Sequence, residues 1–188
     1  MSEVLLQCQC KKVEGRILNV SPKDGTRVSC YCKDCQAFAQ ALHKQDSVLD
    51  EFGGTDIYQA SPARVKIEKG QEHVSCLRLT EQGLYRWYAG CCNTPIANTL
   101  SPDKPFVGLI HSFIADTDKE AKLGQPQARA NLRGATARIP DSMKLPLSER
   151  RYVWRILSRI LWWKLSGQGK PNPFFKDDKP VVAPKILG

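Results

Sequence analysis

The sequence predicts a mainly β domain with a short helix near its N-terminus and an amphipathic helix near its C-terminus. The first two thirds of the chain read as short strands, in which apolar and polar residues alternate or β-branched residues are enriched. Ser-Pro, Asp-Gly, Gly-Gly and Lys-Gly turns separate these strands. From about residue 125 the strand pattern stops and a longer amphipathic segment follows. The chain is therefore divided into a β-domain over residues 1–120 and an extension over residues 121–188.

Six segments of the β-domain are predicted as strands and one as a helix. The helix is expected over residues 33–44, directly after a turn with three cysteines, because Phe38, Ala41 and Leu42 lie at helical spacing. The strands are predicted at residues 13–20, 26–31, 64–69, 74–80, 84–90 and 106–114.

The extension is predicted to contain one helix over about residues 148–166. Ser148 is a suitable N-cap, Glu149 lies in the first turn, and Gly167 ends the helix. This helix combines an apolar face, which is expected to pack on the β-domain, with a basic stripe. The stripe is Arg151, Arg155 and Arg159, and the apolar face is Val153, Ile156, Leu157, Ile160, Leu161 and Leu165.

The basic residues of the chain are concentrated in the extension. Residues 1–120 contain 14 Lys and Arg against 15 Asp and Glu, whereas residues 121–188 contain 14 against 4. The net charge of +9 is therefore not a property of the β-domain, and nucleic acid is not expected as a partner. Within the extension, residues 124–146 lack periodicity and are expected to form a linker or surface arm. Residues 168–188, rich in Pro and Lys, are expected to be irregular or mobile.

Neither a secretory signal nor a transmembrane segment is predicted. The first residues include the acidic Glu3 and only Val4, Leu5 and Leu6 as an apolar run. No apolar run approaches the length of a membrane-spanning helix. A cytoplasmic location is expected, and in a reducing compartment clustered cysteines bind metals or catalyse reactions more often than they form disulfides.

Three of the eight cysteines lie within the segment 29-SCYCKDCQ-36. The Cys-x-Cys-x-x-Cys spacing on a strand-to-helix turn lets Cys30, Cys32 and Cys35 place their sulfurs about 2.3 Å from one zinc ion. Three protein ligands leave a fourth tetrahedral position for a substrate, which is the arrangement of catalytic zinc sites. The alternative is a redox-active or simply buried thiol cluster.

A second cysteine group combines 7-QCQC-10 with 90-GCCN-93. Two pairs that are distant in sequence are a common way to tie two strands together through a structural zinc. Adjacent side chains on an extended strand point in opposite directions. Cys8, Cys10, Cys91 and Cys92 can therefore share one ion only if the backbone turns sharply near Cys91.

The remaining candidates for chemistry are predicted to be structural. Cys76 lies on an alternating strand and is expected to be a small core residue. His43, His73 and His111 do not lie at metal-type spacing from the cysteines. His43 follows Cys35 by two turns of the predicted helix, so it is the histidine best placed to line the three-cysteine site.

These motifs resemble the glutathione-dependent formaldehyde-activating enzyme family, which also includes centromere protein V. The resemblance covers about residues 5–115 and is carried by 30-CYCKDCQ-36 and 55-TDIYQASPARVKIEKG-70. It implies the Mss4-like fold of coiled, mostly antiparallel β-sheets, with one catalytic and one structural zinc. By position, Cys30, Cys32 and Cys35 correspond to the catalytic zinc ligands, and Cys8 and Cys10 to the first half of the structural site.

The second half of that structural site departs from the family motif Phe-Cys-x-x-Cys-Gly. The segment 88-YAGCCN-93 places Ala89 on the first cysteine, Cys92 on the second and Asn93 on the glycine. Cys91 is the nearby substitute for the missing thiol. We expect the site to be retained, with Cys91 or Cys92 joining Cys8 and Cys10 through a turn at Gly90. The alternative is that the four thiols lie close together without a metal ion.

The resemblance implies a zinc-dependent carbon–sulfur lyase that makes or breaks S-hydroxymethylglutathione from formaldehyde and glutathione. A small thiol or thiol adduct is therefore the expected partner. The alternative is a non-catalytic zinc scaffold whose basic helix docks to an acidic membrane surface, nucleic acid or a protein groove. Packing of the helix on the β-domain is favoured over peripheral membrane contact, because most amphipathic helices bury their apolar face internally. A cavity that faces the open zinc position would favour the enzyme.

Overall fold

A computed structural model describes residues 2–23, 25–143 and 145–187 and shows the predicted mainly β fold. The described residues form thirteen strands and four α-helices, together with several single turns of 3₁₀ helix. The helices are α1 (Lys33–Ala41), α2 (Gln45–Val48), α3 (Lys119–Leu123) and α4 (Glu149–Leu165). The strands are β1 (Ser2–Gln7), β2 (Glu14–Val20), β3 (Thr26–Cys30), β4 (Thr55–Ala60), β5 (Val65–Lys69), β6 (Val74–Arg78), β7 (Tyr85–Ala89), β8 (Thr94–Thr99), β9 (Val107–Ile110), β10 (Ala128–Ala130), β11 (Phe175–Lys176), β12 (Lys179–Pro180) and β13 (Lys185–Ile186).

The largest sheet has eight strands in the order β10-β3-β4-β9-β8-β7-β6-β13. Its inner pairs are antiparallel, whereas β10 joins β3 and β13 joins β6 in parallel. Strands β1, β2 and β5 form a second sheet, and β11 and β12 form a small hairpin. Both edges of the large sheet therefore come from the extension. The β-domain and the extension thus contribute strands to one sheet. Whether residues 1–120 fold as a separate unit stays a prediction.

The main core lies between the three-stranded and the eight-stranded sheets. Leu6 and Ile17 from the smaller sheet are fully buried against a cluster that includes Trp87, Ile96 and Leu109 of the larger one. Each fully buried aliphatic side chain contributes roughly 1.5–3 kcal/mol to folding. The alternation of buried and exposed residues on β1 and β2 is what directs these side chains into one core.

The C-terminal tail packs against the β-domain, and apart from three two-residue strands its described residues lack regular secondary structure, as the composition predicted. Phe174 and Phe175 are buried, and the ring of Phe174 stacks on that of Trp87 with centroids 5.0 Å apart. Phe175 meets Tyr85 edge-on at 5.1 Å. Burial of these two aromatic rings attaches the Pro- and Lys-rich tail to the main core.

The sequence predicted β2, β3, β5, β6, β7, β9, α1 and α4, and it missed β1, β4 and β8 among the longer strands. Pro95 lies inside β8, although proline cannot donate a ladder hydrogen bond. It lies opposite Tyr88, where the register between β7 and β8 shifts. An irregular position of this kind tolerates proline inside a sheet.

Helix α4 packs on the β-domain as predicted, but through a face that shares only Ile156 and Ile160 with the predicted one. Its buried residues are Tyr152, Ile156 and Trp163. The Tyr152 hydroxyl accepts a hydrogen bond from Gln59 Nε2 at 2.6 Å. The two aromatic residues bury more surface than the aliphatic alternatives, and Tyr152 also satisfies a polar group, so this face takes the core side. Four residues of the predicted face are instead exposed, namely Val153, Leu157, Leu161 and Leu165.

Candidate metal centres

The predicted strand-to-helix turn brings Cys30, Cys32 and Cys35, here called the thiol trio, to one point. Cys30 ends β3, Cys32 is the N-cap of α1, and Cys35 lies in the first helical turn. The Cys35 backbone N–H donates to Cys32 Sγ at 3.4 Å, as an N-cap requires. The three Sγ atoms lie within 4.8 Å of one another. The N-terminus of a helix also stabilises thiolates through its dipole.

Two polar side chains from distant segments contact the thiol trio, and sequence reasoning identified neither. Asn131 Nδ2 donates to Cys30 Sγ at 3.4 Å, and Arg86 Nη1 lies 4.0 Å from Cys35 Sγ. Arg86 is 1% exposed, and it bonds Asn98 Oδ1 at 3.2 Å and Asp34 Oδ2 at 3.4 Å. The sequence did contain one indication of the role of Arg86, namely its position between the aromatic residues of β7. An arginine on a buried strand requires a negative or polar partner.

The charge state of the thiol trio is asymmetric. Hydrogen bonds from the Cys32 and Cys35 side chains, with a further one from Asn131, lower the pKa of Cys30 to about 3 despite its burial. The same bonds to Cys30, together with burial, raise the pKa of Cys35 well above its usual value. The bond to Cys30 also raises the pKa of Cys32. One thiolate is thus favoured, and further negative charge at this point requires a cation.

The thiol trio opens on a cleft of about 580 Å³ through Cys32, whereas Cys30 and Cys35 are buried. The extension supplies most of the wall. Lys33 and Arg133 add positive charge, and Glu149 is the one carboxylate among the described residues that line the cleft. The wall is completed by Asn131, Leu132 and Gly134.

Gln36 and Gly134 fix this wall in place. Gln36 Nε2 donates to the carbonyl oxygens of Tyr31 at 3.0 Å and Gly134 at 2.8 Å, so one buried side chain joins the turn to the extension. A Cβ at residue 134 would lie 2.1 Å from the Tyr31 carbonyl oxygen. Only glycine permits so close an approach. The Glu149 carboxylate, in turn, accepts the Asn131 backbone N–H at 2.6 Å.

Cys8, Cys10, Cys91 and Cys92 form a second group, here called the four-cysteine group. The Sγ–Sγ distances are 3.6 Å for Cys8–Cys10, 4.0 Å for Cys8–Cys91, 3.2 Å for Cys10–Cys91 and 3.9 Å for Cys91–Cys92. Four sulfurs placed about 2.3 Å from one tetrahedral zinc lie about 3.8 Å from one another. The donor set and its spacing therefore fit a thiolate-bound zinc ion, and both Cys91 and Cys92 lie in the group.

Two tight turns build the four-cysteine group. On the first, Lys11 N–H donates to the Cys8 carbonyl at 2.9 Å, and Val13 N–H donates to Cys8 Sγ at 3.2 Å. On the second, Asn93 has φ +56° and its N–H donates to the Ala89 carbonyl at 2.7 Å. Asparagine tolerates this left-handed conformation better than most residues, so Asn93 can form this turn without a glycine. The sharp turn that the adjacent Cys91 and Cys92 require is present.

The acidities within the four-cysteine group also differ. Burial raises the pKa of Cys92, but hydrogen bonds from the Thr94 hydroxyl and from backbone N–H groups outweigh it and bring the pKa to about 6. Burial raises the pKa of Cys8 and of Cys91. Cys92 is therefore more readily ionised than Cys8 or Cys91.

The remaining predicted candidates lie outside both groups. Cys76 is buried in the main core, and burial raises its pKa to about 12. His43, the histidine best placed by spacing, is exposed and is not among the described residues that line the cleft. The His111 ring bonds the Val48 carbonyl at 3.0 Å. Within residues 2–23, 25–143 and 145–187, the two cysteine groups are the only clusters that could hold a metal ion.

The comparisons with known proteins give a family without an assigned activity. The model of DUF6151, described as a family of unknown function, matches residues 1–185. No curated protein is similar to the chain in sequence. Among solved structures, a crystal structure of a Rhodobacter sphaeroides protein from structural genomics is 14% identical. It has a TM-score of 0.45, with 69% of this chain and 100% of that chain covered.

Proposed function

We propose that this chain, which belongs to the DUF6151 family of unknown function, is a zinc-dependent carbon–sulfur lyase that acts on a thiol–aldehyde adduct such as S-hydroxymethylglutathione. The observation that carries the proposal is the opening of the thiol trio, through Cys32, into a cleft with positive charge on its wall. A closed set of thiols would instead support a purely structural role. The resemblance of the cysteine motifs to formaldehyde-activating enzymes supports the same chemistry.

Cys30, Cys32 and Cys35 would hold the catalytic zinc. The fit rests on the converging thiols and on the buried Arg86, whose Nε has no hydrogen-bond partner among the described residues. Asp34 and Asn98 bond the two terminal nitrogens of Arg86 and leave Nε without a partner, and Asp34 is largely exposed to solvent, so thiolates of the trio would add negative charge on the buried side of the guanidinium. When bound, zinc would supply Lewis acidity toward oxygen and would stabilise a substrate thiolate.

In the cleavage direction the hydroxymethyl O–H loses its proton, the C=O of the aldehyde forms, and the C–S bond breaks. The departing sulfur then takes up a proton. The hemithioacetal thus gives a thiol and an aldehyde without any oxidant or reductant. Lys33 and Arg133 would bind carboxylates of an anionic thiol at the cleft. Glu149 would accept the hydroxyl proton, since it is the carboxylate that lines the cleft.

The four-cysteine group would hold a structural zinc in this proposal. It joins the segments after β1 and β7, which belong to different sheets. A closed four-thiolate site contributes its binding energy directly to folding. Free thiols in two such groups are compatible with the reducing cytoplasm, which we propose as the compartment.

The test is metal analysis together with an activity screen on thiol–aldehyde adducts. We expect about two zinc ions per chain, and formaldehyde release from S-hydroxymethylglutathione by the wild type but not by Cys32→Ser. Cys76→Ser is the matched control, because this buried thiol belongs to neither group. Equal turnover by Cys32→Ser and wild type would refute the proposed site. Zinc at the trio without turnover of any adduct would refute the lyase and leave a metal-binding scaffold.

A further inference from the structure

The outward side of α4 presents a large apolar surface that the rest of the chain does not cover. Trp154 and Leu165 are each 76% exposed, and Trp162 is 64% exposed. Leu157 and Leu161, one turn apart, are also exposed. We define the outer face of α4 as Val153, Trp154, Leu157, Leu161, Trp162 and Leu165. Contiguous exposed surfaces of this kind mark interaction sites on otherwise polar proteins.

The outer face exists in addition to the face that holds α4 on the β-domain. Ile156 and Trp163 anchor the helix from the opposite side, in the same core cluster as Cys30 and Cys35. The outer leucines therefore have no part in fixing the helix. A helix that is apolar on two sides but buried on only one has a second partner.

The charges around the outer face select the chemistry of that partner. Arg150, Arg151 and Lys164 are exposed and flank the apolar residues at both ends, and Arg155 lies along one edge. Glu149 is the only acidic residue of α4, and it is bonded to the Asn131 backbone. Tryptophan beside leucine with flanking Arg and Lys is the composition of helices that lie in the interface of anionic bilayers.

We propose that the outer face of α4 docks this protein onto an anionic phospholipid surface, with the helix lying parallel to the bilayer. The leucines enter the boundary between headgroups and acyl chains, the indoles of Trp154 and Trp162 lie at headgroup level, and the flanking cations pair with lipid phosphates. The attachment is peripheral. Over the residues that the structure describes, no helix is both long and apolar enough to cross a membrane.

The experiment is co-sedimentation of the full chain with vesicles of phosphatidylcholine mixed with phosphatidylglycerol, compared with vesicles of phosphatidylcholine alone. We expect binding to the anionic vesicles, weakened by added salt, and a blue shift of tryptophan emission. Trp87 and Trp163 are buried already, so the shift reports Trp154 and Trp162.

Two variants and a matched control separate the contributions of the apolar and the cationic residues to vesicle binding. Leu157→Gln combined with Leu161→Gln is expected to weaken vesicle binding at least about tenfold. Arg150→Gln combined with Arg151→Gln should weaken it about fivefold per residue. The control is Val181→Gln combined with Leu187→Gln, which removes exposed apolar groups outside α4 and should leave binding unchanged. Thermal unfolding of each variant verifies that the fold is intact.

Several results would overturn the proposal. One is an absence of binding to anionic vesicles at low salt, and another is binding that the double leucine variant retains. A homodimer that this variant dissociates would show that a second copy covers the outer face. Binding to nucleic acid without binding to vesicles would assign the basic residues to a different polyanion.

Discussion

Replacing Arg86 with methionine tests whether the thiol trio depends on a fixed positive charge. Arg86 Nη1 lies 4.0 Å from Cys35 Sγ, and bonds to Asn98 and Asp34 hold the guanidinium there. Methionine is also long and unbranched but carries no charge, so it fills much of the same space. The substitution therefore removes the electrostatic contribution with little change in packing.

The expected loss follows from Coulomb's law. A unit positive charge about 4 Å from a thiolate is worth about 4 kcal/mol at an effective dielectric constant of 20. That energy corresponds to about a thousandfold in metal affinity. Asp34 offsets part of the field, but its side chain is 62% exposed and solvent screens it. We therefore expect the zinc affinity of the trio to fall between about tenfold and about a thousandfold.

The assay is competition for zinc against a chromophoric chelator, which resolves the two sites as separate steps. In Arg86→Met one step should weaken, and the step that belongs to the four-cysteine group should not change. Arg78→Met is the matched control, because Arg78 lies over the Tyr85 ring at 4.6 Å and contacts neither cysteine group. Affinities of both steps within about threefold of wild type would refute the electrostatic reasoning, since even a strongly screened charge at this distance exceeds that change.

Three further predictions concern the second metal site, the α4 interface and pH. Cys10→Ser should lower the zinc content from about two ions per chain to about one and reduce the melting temperature; an unchanged count contradicts the four-cysteine site. Tyr152→Phe removes the acceptor of Gln59 Nε2 and should cost about 1–3 kcal/mol in urea unfolding, since a buried donor is left unpaired. The hydrogen bond from Arg27 lowers the pKa of Glu120 below its usual 4.5, so this pair stabilises the fold above pH 4.5 and loses that contribution as the pH falls through the lowered value. In Glu120→Gln, the free energy of unfolding should fall less steeply as the pH drops below 4.5. An unchanged pH dependence would show that the Arg27–Glu120 pair contributes nothing to stability.

Short-range features were the ones that the sequence predicted well. The thiol trio spans six residues, so the spacing of Cys30, Cys32 and Cys35 and the start of α1 determine its geometry locally. The Ser148 cap and the end of α4 at Gly167 are also local, and both are present in the structure. Strands with regular alternation were found for the same reason.

Features that depend on distant segments could not be predicted. Arg86 and Asn131 reach the trio only because β7 and the extension converge on it in three dimensions. The face of α4 that is buried depends on the hydrogen bond between Tyr152 and Gln59, which lies on the distant strand β4. Pairing of β13 with β6, and of Phe174 with Trp87, likewise involves residues far apart in the chain. Periodicity along one segment contains no information about such partners.

Most residues of the cleft wall are synthesised long after the thiol trio, which has a consequence for the nascent chain. Cys30 and its neighbour Asn131 are 101 residues apart in the chain. At about 5–20 residues per second, a ribosome needs roughly 5–20 s to synthesise that interval. For the part of this interval after Cys30 has left the exit tunnel, the thiols are accessible while Asn131, Gly134 and Glu149 are not yet synthesised. The trio thiols are therefore open both to a metal ion and to oxidation before the wall that covers them forms.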